Sequence, residues 1–126
     1  MAVLTQPPLM GDLLKYEDNA NYTRETVTLL AGTNYALGAV LGVVTASGKY
    51  MLSPDTGATG EEVAVAVLLE AVDATAADAI GLVLARGPAI VSKAHLVFDA
   101  TVSTAAKITA KETQLVAAGI VSRDAA

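Results

Sequence analysis

The sequence predicts an α+β domain that is mostly β, with one C-terminal helix and an extended N-terminal arm. Its apolar segments are short and rich in β-branched residues, and Gly, Ser, Thr and Asp separate them, which is typical of strands and turns. Helical periodicity is confined to the last quarter of the chain. With 126 residues, 53% hydrophobic but only 4% aromatic, the chain is expected to form one domain with an Ala/Val/Leu core.

Residues 1–26 differ from the rest and are predicted to be the arm. They combine Pro7, Pro8 and the polar run "KYEDNANYTRET", with no sustained periodicity. The segment lacks a basic start and a long apolar run, so it does not indicate a secretory signal. Apolar side chains spaced along the arm are candidate anchors for a partner, with the two prolines keeping the chain extended: Val3, Leu4, Leu9, Leu13, Leu14, Tyr16 and Tyr22.

The β-rich domain is predicted to cover residues 27–126. A strand and a glycine turn are expected in "TVTLLAGT" (26–33), followed by a strand in "GAVLGVVT" (38–45). The "ASG" turn then leads into "KYMLS" (49–53), which predicts a hairpin with Gly48 at the position of positive φ.

The most apolar stretch, residues 63–91, is predicted to contain core strands and not a membrane span. Glu70, Asp73, Asp78 and Arg86 divide it into pieces far shorter than the roughly 20 apolar residues that a spanning helix needs. "VAVAVLL" and "AIGLVLA" have strand length, with the turn-like "EAVDATAAD" between them. Since neither face of "VAVAVLL" is polar, this strand is expected to be covered on both sides.

A single helix is predicted at about residues 104–118, in "STAAKITAKETQLVAAGIV". Ser103 or Thr104 is expected to cap its N-terminus. Gly119 stands where a left-handed residue ends a helix, and Ile120 is expected to pack back on the last turn.

Composition and motifs argue against most kinds of chemistry. The net charge of −5 excludes the basic footprint of a nucleic-acid-binding protein, and the absence of cysteine excludes thiolate chemistry. His95 has no partners at metal-ligand or catalytic spacing, and the acidic residues of the 70–78 turn lack the spacing of a calcium loop. We therefore predict no catalytic residue, no metal, no cofactor, no nucleic acid and no membrane.

One motif keeps an enzymatic alternative open. "DTGA" (55–58) matches the Asp-Thr-Gly that dimeric aspartyl peptidases contribute from each subunit, where two carboxylates share a proton. Its flanks do not fit, because Pro54 precedes Asp55 where a buried strand should deliver the aspartate. The segment is better explained as a surface turn.

An ordered set of segments resembles the lambda-type head decoration proteins of tailed phages. The set is "LLAGTNYALGAVLGVVTASGKYMLSPDTGATGEEVAVAVLLEAVDAT", then "LARGPAIV", then a helix that ends in "AAGIV". It covers roughly residues 26–122. The resemblance implies a small β-tulip-like fold and a homotrimer that sits on the outer surface of the expanded capsid in the virion. It also implies that the protein, made in the host cytoplasm, cements neighbouring major capsid subunits against the pressure of packaged DNA.

The resemblance further implies a role for the arm, which would add a strand to the capsid and insert its anchors there. The capsid-binding residues are then expected to be Val3, Leu4, Pro7, Pro8, Leu9, Leu13, Leu14, Tyr16 and Tyr22. Two alternatives remain beside this hypothesis: another virion or tail structural component, and the dimeric aspartyl peptidase.

Overall fold

The computed structural model describes residues 13–123, and within them the chain is mostly β, as predicted. Two helices and ten strands follow one another in this order: β1 (Leu14–Glu17), α1 (Ala20–Thr23), β2 (Arg24–Leu29), β3 (Thr33–Tyr35), β4 (Val40–Val43), β5 (Tyr50–Leu52), β6 (Ala66–Leu68), β7 (Val72–Ala74), β8 (Ala79–Leu84), β9 (Ala89–Ser92), α2 (Ala105–Ala117) and β10 (Ile120–Arg123). A 3₁₀ turn, Lys93–His95, follows β9.

Five strands close into a barrel in the order β2-β5-β4-β6-β8. The β2–β5 contact is parallel, and the other pairings around the barrel are antiparallel. Beside the barrel, β9 lies between β1, which is antiparallel to it, and β10, which is parallel to it. β3 and β7 form a separate antiparallel pair. Closure of the barrel removes the open edges that its strands would otherwise expose.

Two hydrophobic cores lie on opposite sides of the barrel wall. Along β6, Ala66 and Leu68 belong to the core inside the barrel, whereas Val67 between them belongs to a core shared with the three-stranded sheet and α2. Val40 and Leu41 of β4 divide in the same way. Because successive strand residues point to opposite faces, a strand between two cores must be apolar at every position. This confirms the prediction of cover on both sides for Ala66–Leu68, whereas Val63 at the start of "VAVAVLL" lies outside the strand and is 45% exposed.

The C-terminal helix forms where the sequence predicts it. The Thr104 side chain caps it by accepting a hydrogen bond from the backbone N–H of Lys107. Gly119 ends the helix with a φ of +88°, and its N–H donates to the Val116 carbonyl at 2.8 Å. Ile120 is fully buried and begins β10, a strand that the sequence analysis did not predict.

Glycines from two distant segments meet where α2 ends. A Cβ placed on Gly87 would lie 1.8 Å from the carbonyl oxygen of Gly119, so only glycine fits between the turn before β9 and the end of the helix. The N–H of Gly87 also donates to the Ala118 carbonyl at 2.9 Å. The "RG" turn and the "AAGIV" segment, separated in the sequence, therefore form one contact.

Residues 13–26, which the sequence analysis places in the arm, contain β1, α1 and the first half of β2. Leu13 is fully buried in the core next to α2, β1 pairs with β9, and β2 begins at Arg24 and pairs with β8 along its length. Strand periodicity is hidden here because β1 has only four residues and a bulge between Leu14 and Tyr16. Residues 13–26 belong to the folded domain.

The turn predicted at residues 70–78 also contains more structure than expected. Its central residues form β7, where Asn34 lies opposite Asp73 and Tyr35 opposite Val72. Three-residue strands are too short to show an alternating pattern. Polar side chains then complete the turn: the Asp73 carboxylate accepts from the Thr75 hydroxyl at 2.7 Å.

Two glycines with left-handed backbones offer a matched test of packing. Gly48 has a φ of +72°, as predicted for the hairpin turn, and a Cβ there would meet no atom within 4 Å. Gly38 has a φ of +87°, and its Cβ would lie 1.9 Å from the His95 carbonyl oxygen. We expect Gly48→Ala to lower the free energy of unfolding by about 1–2 kcal/mol and Gly38→Ala by about 1–3 kcal/mol more. Urea unfolding of both variants measures this difference, and equal losses would contradict the contact at Gly38.

Candidate interaction surface

The predicted arm residues divide into two groups. Val3, Leu4, Pro7, Pro8 and Leu9 lie outside the described residues, and their role remains a prediction. Leu13, Leu14, Tyr16 and Tyr22 lie inside the folded domain.

The two leucines of the second group are structural. Leu13 is fully buried, and Leu14 packs against the same core. Their side chains hold β1 on the domain, Leu13 enclosed by the core and Leu14 partly buried at its edge. The two tyrosines are exposed, Tyr16 by 50% and Tyr22 by 59%.

Tyr22 is held in place by a cation–π contact. The Arg86 guanidinium lies 5.3 Å from the centroid of its ring. Arg86 also donates to the Tyr22 carbonyl and forms an ion pair with Glu25. One face of the ring is therefore covered from within the chain, so Tyr22 is a poorer candidate for a partner contact than Tyr16.

A second polar cluster ties β1 to β2. The Glu17 carboxylate accepts hydrogen bonds from the Thr23 hydroxyl at 2.7 Å and from Arg24 Nε at 3.1 Å, and Arg24 Nη2 contacts its other oxygen. The hydrogen bond from Arg24 is the main reason why the pKa of Glu17 lies below its ordinary value. Partial burial of the carboxyl opposes this shift, and the hydrogen bond from Thr23 adds to it. The cluster fixes the start of the folded domain.

The lowered pKa of Glu17 predicts a loss of stability in acid. A carboxylate whose pKa is depressed by folding stabilises the fold above its unfolded pKa, and this contribution disappears as the pH falls through the folded pKa. We expect Glu17→Gln to cost about 1.5–3 kcal/mol at neutral pH and progressively less below the ordinary pKa of 4.5. Thermal melting of both proteins across pH measures this; a difference that stays constant down to strongly acidic pH would contradict it.

One face of α2 holds the loop between β5 and β6. Lys107 lies 3.5 Å from the Asp55 carboxylate, Lys111 Nζ donates to the Ser53 hydroxyl at 3.0 Å, and the Gln114 side chain accepts from the N–H of Ala64 at 2.8 Å. Residues spaced by four and three share one helix face. This polar face of α2 thus anchors the loop.

Lys111 is the central member of this set and is only 2% exposed. Besides Ser53 it donates to the Glu62 carbonyl, so its ammonium joins both ends of the loop. Burial lowers its pKa, and the nearby charges of Asp55, Glu62 and Asp99 oppose that shift. Burial of an ammonium group costs free energy unless the group is hydrogen-bonded. Here the hydrogen bonds to the Ser53 hydroxyl and the Glu62 carbonyl offset that cost and join the two ends of the loop.

The two residues with catalytic potential in the sequence have structural contacts. Asp55 lies in the loop, where its N–H donates to the Thr101 hydroxyl at 2.9 Å and its carboxylate faces Lys107. His95 lies in the 3₁₀ turn with Nδ1 3.4 Å from the Ser92 hydroxyl. The Asp55 carboxylate is paired with a lysine, and the Ser92 hydroxyl beside His95 belongs to a residue that is only 5% exposed, so neither pair lies open to a substrate.

The described part of the chain has neither a cluster of metal ligands nor a helix that could span a membrane. Residues 13–123 contain no group of three or more His, Cys, Asp or Glu side chains that could hold a metal ion. In the same range, no helix has both the length and the apolar character needed to cross a bilayer.

The three-stranded sheet exposes an apolar row on its outer face. Tyr16 lies opposite Ile90, and Ile90 lies opposite Val121, so the three side chains stand side by side across β1, β9 and β10. Ile90 is half-buried and Val121 is 37% exposed. We call these three residues the apolar row. Sequence reasoning identified Tyr16 but missed Ile90 and Val121, because only the strand register brings them together.

The class of protein is given by the comparison with protein families: the family of bacteriophage lambda head decoration protein D matches residues 3–120. The chain belongs to this family. It is therefore a phage head decoration protein with a structural role at the capsid, in a family of proteins that are not enzymes. A comparison with curated proteins gives no match.

Proposed function

We propose that the protein binds the outside of the expanded phage head as a homotrimer and cements neighbouring major capsid subunits against the pressure of packaged DNA. The observation that carries the proposal is the family match over residues 3–120, nearly the whole chain. Its partners are the major capsid protein and two copies of itself, and it makes no direct contact with nucleic acid. It is made in the host cytoplasm and acts on the outer surface of the virion.

The packing of the domain suits this task. A cement must transmit force between the subunits it joins, and close-packed protein interiors are stiff. The barrel wall separates two cores, while α2 anchors the 53–64 loop through Lys107, Lys111 and Gln114.

The N-terminal segment, now reduced to residues 1–12, supplies the second part of the proposal. Strand addition to the capsid recovers main-chain hydrogen bonds, and pockets for Val3, Leu4 and Leu9 add apolar burial. Three segments carried by one trimer bind with avidity that a monomer lacks.

Sedimentation of purified protein with expanded shells that lack decoration tests the proposal. We expect saturable binding at three copies per trimer site, and native mass spectrometry of the free or released protein is expected to give the trimer mass. Heating decorated and undecorated DNA-filled heads then measures cementing, since decoration is expected to raise the temperature of DNA release. Failure to bind expanded shells, or a monomer mass under both conditions, would overturn the proposal.

A further inference from the structure

We propose that the apolar row (Tyr16, Ile90 and Val121) is a second capsid contact, which docks against an apolar patch of the major capsid protein bordered by carboxylates. The inference rests on the proposed function and adds a contact made by the folded domain to the one made by residues 1–12.

The row is unusual for the solvent side of a sheet. The opposite face of the same strands carries Ala89, Val91 and Ile120, all buried in the core. An antiparallel or mixed sheet with one covered face normally alternates to polar residues on the other. Here three large apolar side chains are adjacent on the face that points away from the core of the described residues, with Tyr16 and Val121 exposed and Ile90 half-buried between them. Contiguous apolar surface is a feature of interaction sites.

The charges beside the row indicate the chemistry of its partner. Three of the eight basic residues of this acidic chain gather at one end of the sheet: Lys15 at the bulge of β1, Lys93 directly after β9, and Arg123 opposite Ser92. The Glu112 carboxylate lies 3.8 Å from Lys93. Lys93 therefore has a partner within the chain. The exposed Arg123, two residues beyond Val121 on the same face of β10, favours a partner whose apolar patch is edged by a carboxylate.

The position of the row identifies the major capsid protein as the occupant. Tyr16 is three residues beyond Leu13, so the twelve-residue segment that we propose to bind the shell enters the domain through β1 itself. A shell surface that holds this segment is brought next to the row. The two contacts then form one continuous interface.

The test compares a row variant with a matched control. Tyr16→Ser combined with Val121→Ser removes two exposed apolar side chains, and Ile80→Ser removes one that is 72% exposed on the barrel strand β8. We expect the double variant to bind expanded shells about tenfold or more weakly, since tyrosine is among the residues whose truncation at the centre of an interface costs the most affinity. The control is expected to stay within about twofold. Circular dichroism verifies that all three proteins are folded.

Further measurements separate the possible outcomes. Arg123→Gln is expected to weaken binding moderately and to reduce its dependence on salt. If the wild type fails to bind shells, the proposed function is wrong. If the wild type binds and the double variant binds equally well, the row is not a capsid contact. If the double variant changes the trimer to a monomer in native mass spectrometry, the row joins copies of this chain and the inference is overturned.

Discussion

A chain that begins at residue 27 is expected to be unfolded, whereas a chain that begins at residue 13 is expected to keep a cooperative melting transition. The longer deletion removes β1, the first half of β2 and Leu13, which is fully buried. Burial of a single leucine contributes about 1.5–3 kcal/mol, and loss of β1 also uncovers β9 beside the core. With a total stability of about 5–15 kcal/mol, the fold is not expected to survive.

Circular dichroism and thermal melting of the two truncated proteins measure this difference. The chain from residue 13 is the matched control, since it retains every residue that the structure describes. A melting temperature near that of the full-length protein is expected for it, together with much weaker binding to expanded shells. A folded, cooperative protein beginning at residue 27 would show that residues 13–26 are dispensable and would restore the boundary that the sequence suggested.

The second large effect is expected for Lys111→Ala. The substitution leaves a cavity beside α2 and removes the donor from the buried Ser53 hydroxyl and the Glu62 carbonyl. Cavity formation costs about 2–5 kcal/mol and each unsatisfied buried group about 1–3 kcal/mol. Because removal of a buried charge offsets part of this, we expect the free energy of unfolding to fall by about 3–5 kcal/mol, measured by urea unfolding.

Two further variants isolate the cause. Lys111→Met keeps most of the volume and is expected to lose less stability than the alanine variant. Lys107→Ala removes a half-exposed lysine from the same helix face, where an ion pair with Asp55 contributes about 0–1 kcal/mol. If Lys107→Ala proved as damaging as Lys111→Ala, the buried ammonium would not be the anchor of the loop.

The lowered pKa of Lys111 adds a dependence on pH with a defined sign. Between its folded pKa and the ordinary value of 10.5, the unfolded chain binds more protons than the folded one. The free energy of unfolding contributed by this group therefore rises with pH in that window. The methionine variant is expected to lack the rise, which alkaline unfolding curves of the two proteins compare.

Local patterns predicted the parts of the fold that depend on local chemistry. The capped helix, the glycine at the hairpin turn and the strand covered on both faces follow from residues next to one another, such as Thr104, Gly48 and the run 63–69. The family resemblance followed from an ordered set of such patterns. The structure explains one part of that set, since the glycines of "RG" and "AAGIV" touch.

The remaining features depend on partners distant in the sequence. β1 and β10 have four residues each and become strands because β9 pairs with both, and β7 forms because β3 lies beside it. The strands within residues 13–26 were not predicted for this reason. Likewise, a lysine in a helix is normally a solvated residue, and only the loop packed over Lys111 makes it a buried anchor. The apolar row exists only through strand register.

Cryo-electron microscopy of expanded shells, with and without the added protein, tests the central claim most directly. We predict additional density on the outer surface, arranged with three-fold symmetry between major capsid subunits. The described domain is expected to fit this density with β1 and the apolar row facing the shell. Shells that show no added density, or density only at the tail vertex or inside the head, would contradict the account.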